Sequence, residues 1–271
     1  MLAISLGPLA LPLAPVLLLL AVSGASWLAS RMAGRDQATA AGNAVFNAAL
    51  LALLAARIAH LVLHADLYVA SPLVAFDVRD GGWHAPSGAL AGAGWLLWRG
   101  LRAPALRRPL AGGVMAAAAF WIATTTALGT RDTPALPALQ VTELATGTVV
   151  DLSQVARARP VVVNLWASWC GPCRQEMPLL AAAQQRETTV GFLFVNQGET
   201  DSAVRAYLID QGLTLRDVLL DPTARLGPAI GSRGLPTTLF YDARGRQVDA
   251  HFGVLNAAAL ESRLRALRAT P

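Results

Sequence analysis

Lysine is absent from this chain of 271 residues, so all 22 of its Lys+Arg residues are arginines. With the abundant alanine, this reads as genome composition rather than function. Charge of either sign is scarce: 14% of residues are charged and 54% hydrophobic, where an ordinary soluble domain carries about 25% charged. That deficit places part of the chain in lipid. A net charge of +5 and a pI near 10.2 would suit a nucleic-acid binder. The arginines are scattered, however, with no basic helix or interleaved aromatic platform, so nucleic acid is not an expected partner. Cysteine is almost missing: there are two, both in Cys170-Gly171-Pro172-Cys173. A disulfide framework needs distant partners and is excluded. A structural zinc site wants four ligands, and no histidine lies near a cysteine outside this motif, so no metal is expected.

The charge divides the chain. Residues 1–130 hold long apolar runs and read as a transmembrane domain, 131–137 as a linker with Pro134 and Pro137, and 138–271 as a soluble domain. Apolar runs cover roughly 2–28, 44–63, 87–98 and 110–128, giving an all-α region of about four helices. The first run has no Arg or Lys before it and no lipobox cysteine after it, which favours a retained anchor over a signal peptide. The third is short and glycine-rich. Arg31 and Arg35 lie between runs one and two, and Arg99, Arg102, Arg107 and Arg108 between runs three and four. Arginine-rich loops stay cytoplasmic, and both loops share a side if all four runs span. The loop around His64–His84 and the C-terminal domain then face outward. The expected location is the bacterial inner (cytoplasmic) membrane, multi-pass, with the soluble domain in the periplasm, where thiol–disulfide chemistry is in demand.

The soluble half alternates strands and helices. Val161–Trp166 reads as a strand buried on both faces. It leads through Ala167-Ser168-Trp169-Cys170 into a helix predicted from about Cys173 and kinked at Pro178. Further strands are predicted at 190–196, 218–220, 237–241 and 247–252, the last two joined by the turn Asp242-Ala243-Arg244-Gly245. Helices are predicted at 201–211, with Thr200 or Asp201 near the N-cap, and at 257–268. The pattern is an α/β sandwich.

The cysteine pair sits where a strand feeds a helix. Unpaired N–H groups and the helix dipole favour negative charge there, so they stabilise the thiolate, which is the nucleophile. Two intervening residues let Cys173 reach back to Cys170, and Pro172 supplies no N–H while presetting the helix start. Cys170 would attack a substrate disulfide, and Cys173 would then attack Cys170 and release the reduced substrate. The plainer alternative is half of a zinc ribbon, or two core cysteines. The flanking Trp166, Trp169, Pro172 and Pro178, with Gly234-Leu235-Pro236-Thr237-Thr238 downstream, argue against it.

Trp-Ala-Ser-Trp-Cys-Gly-Pro-Cys-Arg-Gln-Glu-Met-Pro at 166–178 resembles the TlpA-like (ResA-like) branch of the thioredoxin superfamily, over about 138–268. The resemblance implies a thioredoxin fold that uses its cysteine pair (Cys170 and Cys173, with Gly171 between) and no cofactor. It implies that Pro236 is a cis-proline beside the cysteines. Leu235 would offer its backbone to an extended, disulfide-bearing protein substrate, with Trp169 also at the substrate site. It places Glu176 near the cysteines, where it would tune them or carry protons; a solvated helix carboxylate is the alternative. Asn164 stands where thioredoxins bury an aspartate, and Glu176 would take over part of its proton task. Gly-Pro between the cysteines resembles the reducing thioredoxins, near −270 mV, rather than an oxidase near −120 mV, so a disulfide reductase is expected and an oxidase is its rival. The membrane half has no cysteine to relay electrons. A separate membrane thiol reductant of the DsbD or CcdA type is therefore the implied partner.

Arg57, His60, Pro72-Leu73 and Gly81-Gly82-Trp83-His84-Ala85-Pro86-Ser87-Gly88 resemble the first part of prolipoprotein diacylglyceryl transferase, over perhaps 40–125. The pattern departs where chemistry needs it. Aligning Gly81-Gly82 puts Pro86 at the essential histidine and His84 two residues early, and the later helices are missing. A degenerate domain serving as anchor or partner surface is expected; an active transferase and unrelated spans are the alternatives. Arg57 is costly in an apolar run unless it snorkels to an interface. His60 and His64 share a helical face that could bind metal, though a polar interfacial face is the expected reading, and Asn43 and Asn47 are candidate interhelical donors. A client-binding scaffold without turnover is the non-enzymatic rival for the whole chain.

Overall fold

The computed structural model describes residues 3–6, 9–69, 72–77, 81–129, 135–155, 159–232 and 234–269. The chain divides into two compact units, Met1–Arg131 and Asp132–Pro271. Residues 131–134 of the expected linker lie outside the described residues.

The first unit opens with two short antiparallel strands, β1 (Ala3–Leu6) and β2 (Leu9–Pro12), before α1 (Leu13–Met32). The expected continuous run over 2–28 is therefore corrected. Proline is best tolerated in the first turn of a helix, and α1 begins after Pro12 and carries Pro15 in its first turn. α2 (Ala38–Leu63), α3 (Ala85–Arg102) and α4 (Arg107–Gly129) follow. Among the described residues three stretches are long and apolar enough to cross a membrane: Pro15–Met32, Arg35–Leu63 and Pro104–Ala127. α3 is not among them, since its 18 residues include Arg99, Arg102 and four glycines. Small residues bring these helices together. A Cβ on Gly113 would lie 2.9 Å from the Ala25 carbonyl oxygen, and one on Gly88 would lie 2.7 Å from that of Ala52. Asn43 and Asn47 are exposed, and among the described residues they make no interhelical hydrogen bond, which corrects that expectation. Instead Trp95 Nε1 of α3 donates to the Ala44 carbonyl of α2 (3.1 Å), and Ser26 Oγ of α1 to that of Gly42 (3.1 Å).

The second unit runs β3 (Gln140–Glu143), β4 (Val149–Asp151), α5 (Leu152–Val155), β5 (Val161–Trp166), α6 (Gly171–Arg186), β6 (Gly191–Gln197), α7 (Asp201–Asp210), β7 (Val218–Asp221), α8 (Leu226–Ala229), β8 (Thr237–Tyr241), β9 (Gln247–Phe252) and α9 (Ala257–Ala269). Seven strands form one sheet in the order β4-β3-β7-β6-β5-β8-β9. β5, β6 and β7 run parallel, while β3 and β8 flank them antiparallel. Every residue of β5 is buried, because the strand is covered on both faces. Val162 and Trp166 join an apolar cluster with Met177 and Leu180 of α6 and Leu260 and Leu264 of α9. Val161, Val163 and Leu165 join the opposite cluster with Leu152 and Leu226. This is a thioredoxin-like sheet with a central strand aimed at the cysteine pair.

Candidate redox site

β5 ends at Trp166, and the chain then turns through 167–169 into α6. Cys170 is the N-cap of α6, so the helix starts at Gly171, two residues earlier than expected, and it continues without a break through Pro178. No acidic side chain lies in the first turn, so no carboxylate of that turn offsets the field of the free N–H groups. Cys170 and Cys173 form a disulfide with an S–S distance of 2.12 Å and a Cα–Cα distance of 5.2 Å. The Cys173 backbone N–H donates to Cys170 Sγ at 3.2 Å. Cys170 is 5% exposed and Cys173 0%, so Cys170 is the sulfur an incoming partner can reach. Pro172 lies within the first two positions of the helix, where its missing N–H leaves nothing unpaired. A side chain at Gly171 would meet nothing within 4 Å, so the space beside the disulfide is open.

The other candidates come from neighbouring elements. Leu165 of β5 is paired with Thr237 of β8, which places the two residues before β8 next to the start of the cysteine loop. These are Leu235 and Pro236, joined by a cis peptide bond. The Pro236 carbonyl accepts from Gly253 N–H at 3.0 Å. Among the described residues, the Leu235 N–H and C=O make no hydrogen bond, so that short backbone edge is open to an added strand. The two tryptophans have separate places. Trp166 is fully buried with its ring centroid 5.4 Å from that of Tyr207, whereas Trp169 is 70% exposed.

Asn164 and Glu176 meet beneath the sheet end. Asn164 Nδ2 donates to Glu176 Oε1 (2.8 Å) and to Thr238 Oγ1 (3.0 Å), and Leu255 N–H donates to Glu176 Oε2 (2.8 Å). Glu176 is buried rather than a solvated helix carboxylate. Burial pushes its carboxyl up to about 7, against the opposing pull of the Leu255 and Asn164 hydrogen bonds. The partners Leu255 and Thr238 were invisible to sequence reasoning, since they lie 79 and 74 residues from the groups they bond. Glu199 was missed too, although it stands just past the carboxyl end of a parallel strand, where α/β sheets gather their functional groups. Its carboxylate accepts the Ser168 N–H at 2.7 Å.

In the first unit, the residues of the second resemblance partly converge. Arg57 is buried, and its guanidinium turns inward rather than snorkelling. It donates to the carbonyls of Gly82 (2.9 Å), Ala75 (2.7 Å) and Asp77 (3.2 Å) and lies over the rings of Tyr68 and Trp83. His60 stacks on His64 at 4.4 Å. Among the described residues no group of three or more His, Cys, Asp or Glu is placed to hold a metal. His84 shares a 2.8 Å hydrogen bond with Ser87, and the residue two places on is Pro86.

Residues 131–266 match the family described as Redoxin. The thioredoxin-like protein YneN of Bacillus subtilis is 30% identical over 115 residues, covering 41% of this chain and 66% of that protein. The thiol:disulfide interchange protein HelX of Rhodobacter capsulatus is 31% identical over 108 residues, covering 40% of this chain and 60% of that protein. The chain thus spans less than two thirds of the length of these relatives. A thiol:disulfide interchange protein of the thioredoxin family from Chlorobium tepidum, of known crystal structure, is 25% identical with a TM-score of 0.43, covering 51% of this chain and 97% of that one. Since the match takes in half the sequence, including the strand, the cysteine pair and the cis-proline, this chain belongs to the Redoxin family.

Proposed function

We propose that the chain is a membrane-anchored thiol–disulfide oxidoreductase that reduces disulfides in protein clients on the periplasmic side of a bacterial inner membrane. The observation that carries this reading is the Cys170–Cys173 disulfide at the N-terminus of α6, with the outer sulfur slightly exposed and the inner one sealed. In the reduced chain, Cys170 thiolate attacks one sulfur of the client disulfide and the other client sulfur leaves as a thiol. Cys173 then loses its proton and attacks Cys170, so the client departs with two electrons and the chain keeps the disulfide. Glu176, with its carboxyl near neutrality, is the group proposed to take the Cys173 proton. Asn164 holds that carboxyl in place, and the Leu235 edge beside Pro236, with Trp169, receives the client backbone. Relatives named as thiol:disulfide interchange proteins support the chemistry.

Electrons must return from a membrane thiol reductant of the DsbD or CcdA type, since both cysteines of this chain belong to the reacting pair. The proposed topology keeps four spans, counting α3, with 1–130 as anchor, 131–137 as linker and 138–271 outward. Its likeness to the diacylglyceryl transferase is proposed to be vestigial, because Pro86 has no side chain able to move a proton. The test is insulin reduction by the full chain in detergent, compared with Cys170→Ser. Turnover that needs Cys170 supports the reductase. Equal turnover in the variant refutes it, and a measured potential near −120 mV would make the chain an oxidase instead.

A further inference from the structure

Glu199 has no part in the cycle above, yet its carboxylate is held by three donors. Oε2 accepts the Ser168 N–H at 2.7 Å and Asn196 Nδ2 at 2.6 Å, and Oε1 accepts the Ser168 hydroxyl. The donors come from two separate places, the loop leaving β5 and the end of β6. The base of Glu199 is fixed as well. Gly198, at φ +78°, donates its N–H to the Asp221 carbonyl (2.9 Å), and Thr200 caps α7 through Ala203 N–H. Ser168 is clamped by this carboxylate from both its backbone and its side chain. Only Trp169 separates Ser168 from Cys170, and Cys170 N–H donates to the Ala167 carbonyl at 3.2 Å. Wherever residues 167–168 are held, Cys170 Sγ and the exposed Trp169 ring follow.

We infer that Glu199 is a positioning residue for disulfide exchange: it fixes the 167–169 loop so that Cys170 Sγ sits over the free N–H groups of α6. This role rests on the redox reading above. It depends on geometry, not charge. A glutamine whose carbonyl oxygen takes the Oε2 place keeps both N–H bonds, and its amide can donate to the Ser168 hydroxyl, which then turns from donor to acceptor. An alanine loses all three bonds and frees the loop.

The test uses the full chain in detergent micelles as wild type, Glu199→Gln, Glu199→Ala and Ser168→Ala. Hydrogen exchange at the Ser168 amide reads the clamp in the oxidised protein without any turnover. Steady-state reduction of a peptide disulfide gives kcat and KM. Glu199→Ala should expose the Ser168 amide and lower kcat by about 10- to 100-fold with little change in KM, the signature of a displaced reacting atom. Glu199→Gln should restore both readouts to within about threefold of wild type, and Ser168→Ala should lose about threefold. Should Glu199→Ala fail to fold, the glutamine and Ser168→Ala chains still decide the matter. An unimpaired Glu199→Ala, or a Glu199→Gln slowed tenfold or more, overturns the positioning role while leaving the reductase intact. A wild-type chain that reduces nothing overturns the redox reading and this role together.

Discussion

Arg57 in the apolar unit and Glu176 in the Redoxin unit are both buried ionisable side chains, yet their surroundings set them to different work. Backbone carbonyls and aromatic faces receive the guanidinium. It ties Ala75, Asp77 and Gly82 to α2. The Glu176 carboxyl meets one amide side chain and one backbone N–H, too few donors to offset burial, so it rises to about 7. A buried charge held by several backbone carbonyls is architecture; a carboxyl with too few donors beside a reacting pair can exchange a proton near neutral pH.

The comparison can be broken first at the sulfurs. Replacing Cys170 by serine should abolish client reduction to background, a loss of at least about 1,000-fold in kcat/KM, while the fold survives. Insulin turbidity and thermal unfolding check the two halves of that statement. Next comes Arg57→Ala, which leaves one buried and two half-buried carbonyls without their donor and should destabilise the apolar unit by roughly 2–4 kcal/mol. Unfolding of the detergent-solubilised chain measures it, and client reduction by the other unit should persist.

Glu176→Gln sharpens the contrast with an effect that depends on pH. The carboxyl binds its proton more tightly in the folded chain (about 7) than at the ordinary value of 4.5. Between those two values the folded state holds more protons than the unfolded one, so stability falls as pH rises through that window and is flat beyond it. The loss is on the order of 3 kcal/mol. Denaturant unfolding at pH 5 and pH 8 should show wild type losing this increment and Glu176→Gln losing almost none of it. The same variant should erase an inflection near pH 7 in the rate at which Cys173 resolves the mixed disulfide. The smallest effect is expected at Gly113→Val, where the added side chain presses on the Ala25 carbonyl. Overpacking there should cost about 1–3 kcal/mol, measured in the same unfolding assay, with no change in the redox reaction.

Much of the Redoxin unit was legible because local pattern and tertiary demand agree there. The apolar run at 161–166 is a strand because it is buried on both faces, and Asp242 builds the predicted turn by accepting Arg244 N–H (3.0 Å) and Arg246 N–H (2.9 Å). β3 and β4 escaped notice because both are short and only half-buried, and what fixes them is pairing across the sheet rather than any run of their own. The cysteine motif announced its place at a helix start, but the early start at Gly171 followed from Cys170 acting as cap, a conformation rather than a composition. Glu199 next to Thr200 reads locally as a solvated carboxylate at the head of α7. Only the approach of Ser168, 31 residues earlier, gives it another meaning. In the apolar unit, the runs were visible, but the first helix starts only after Pro12, and the interhelical contacts came from glycine, Trp95 and Ser26 rather than the asparagines.

The most direct measurement is mass spectrometry of the reduced Cys173→Ser chain after mixing with a peptide disulfide, mapped to the modified residue. The expected result is a stable peptide adduct on Cys170, with the reciprocal Cys170→Ser chain carrying little or none on its sealed Cys173. An adduct on Cys173 at the same rate, or no adduct on either cysteine, would contradict the division of labour on which the proposed chemistry stands.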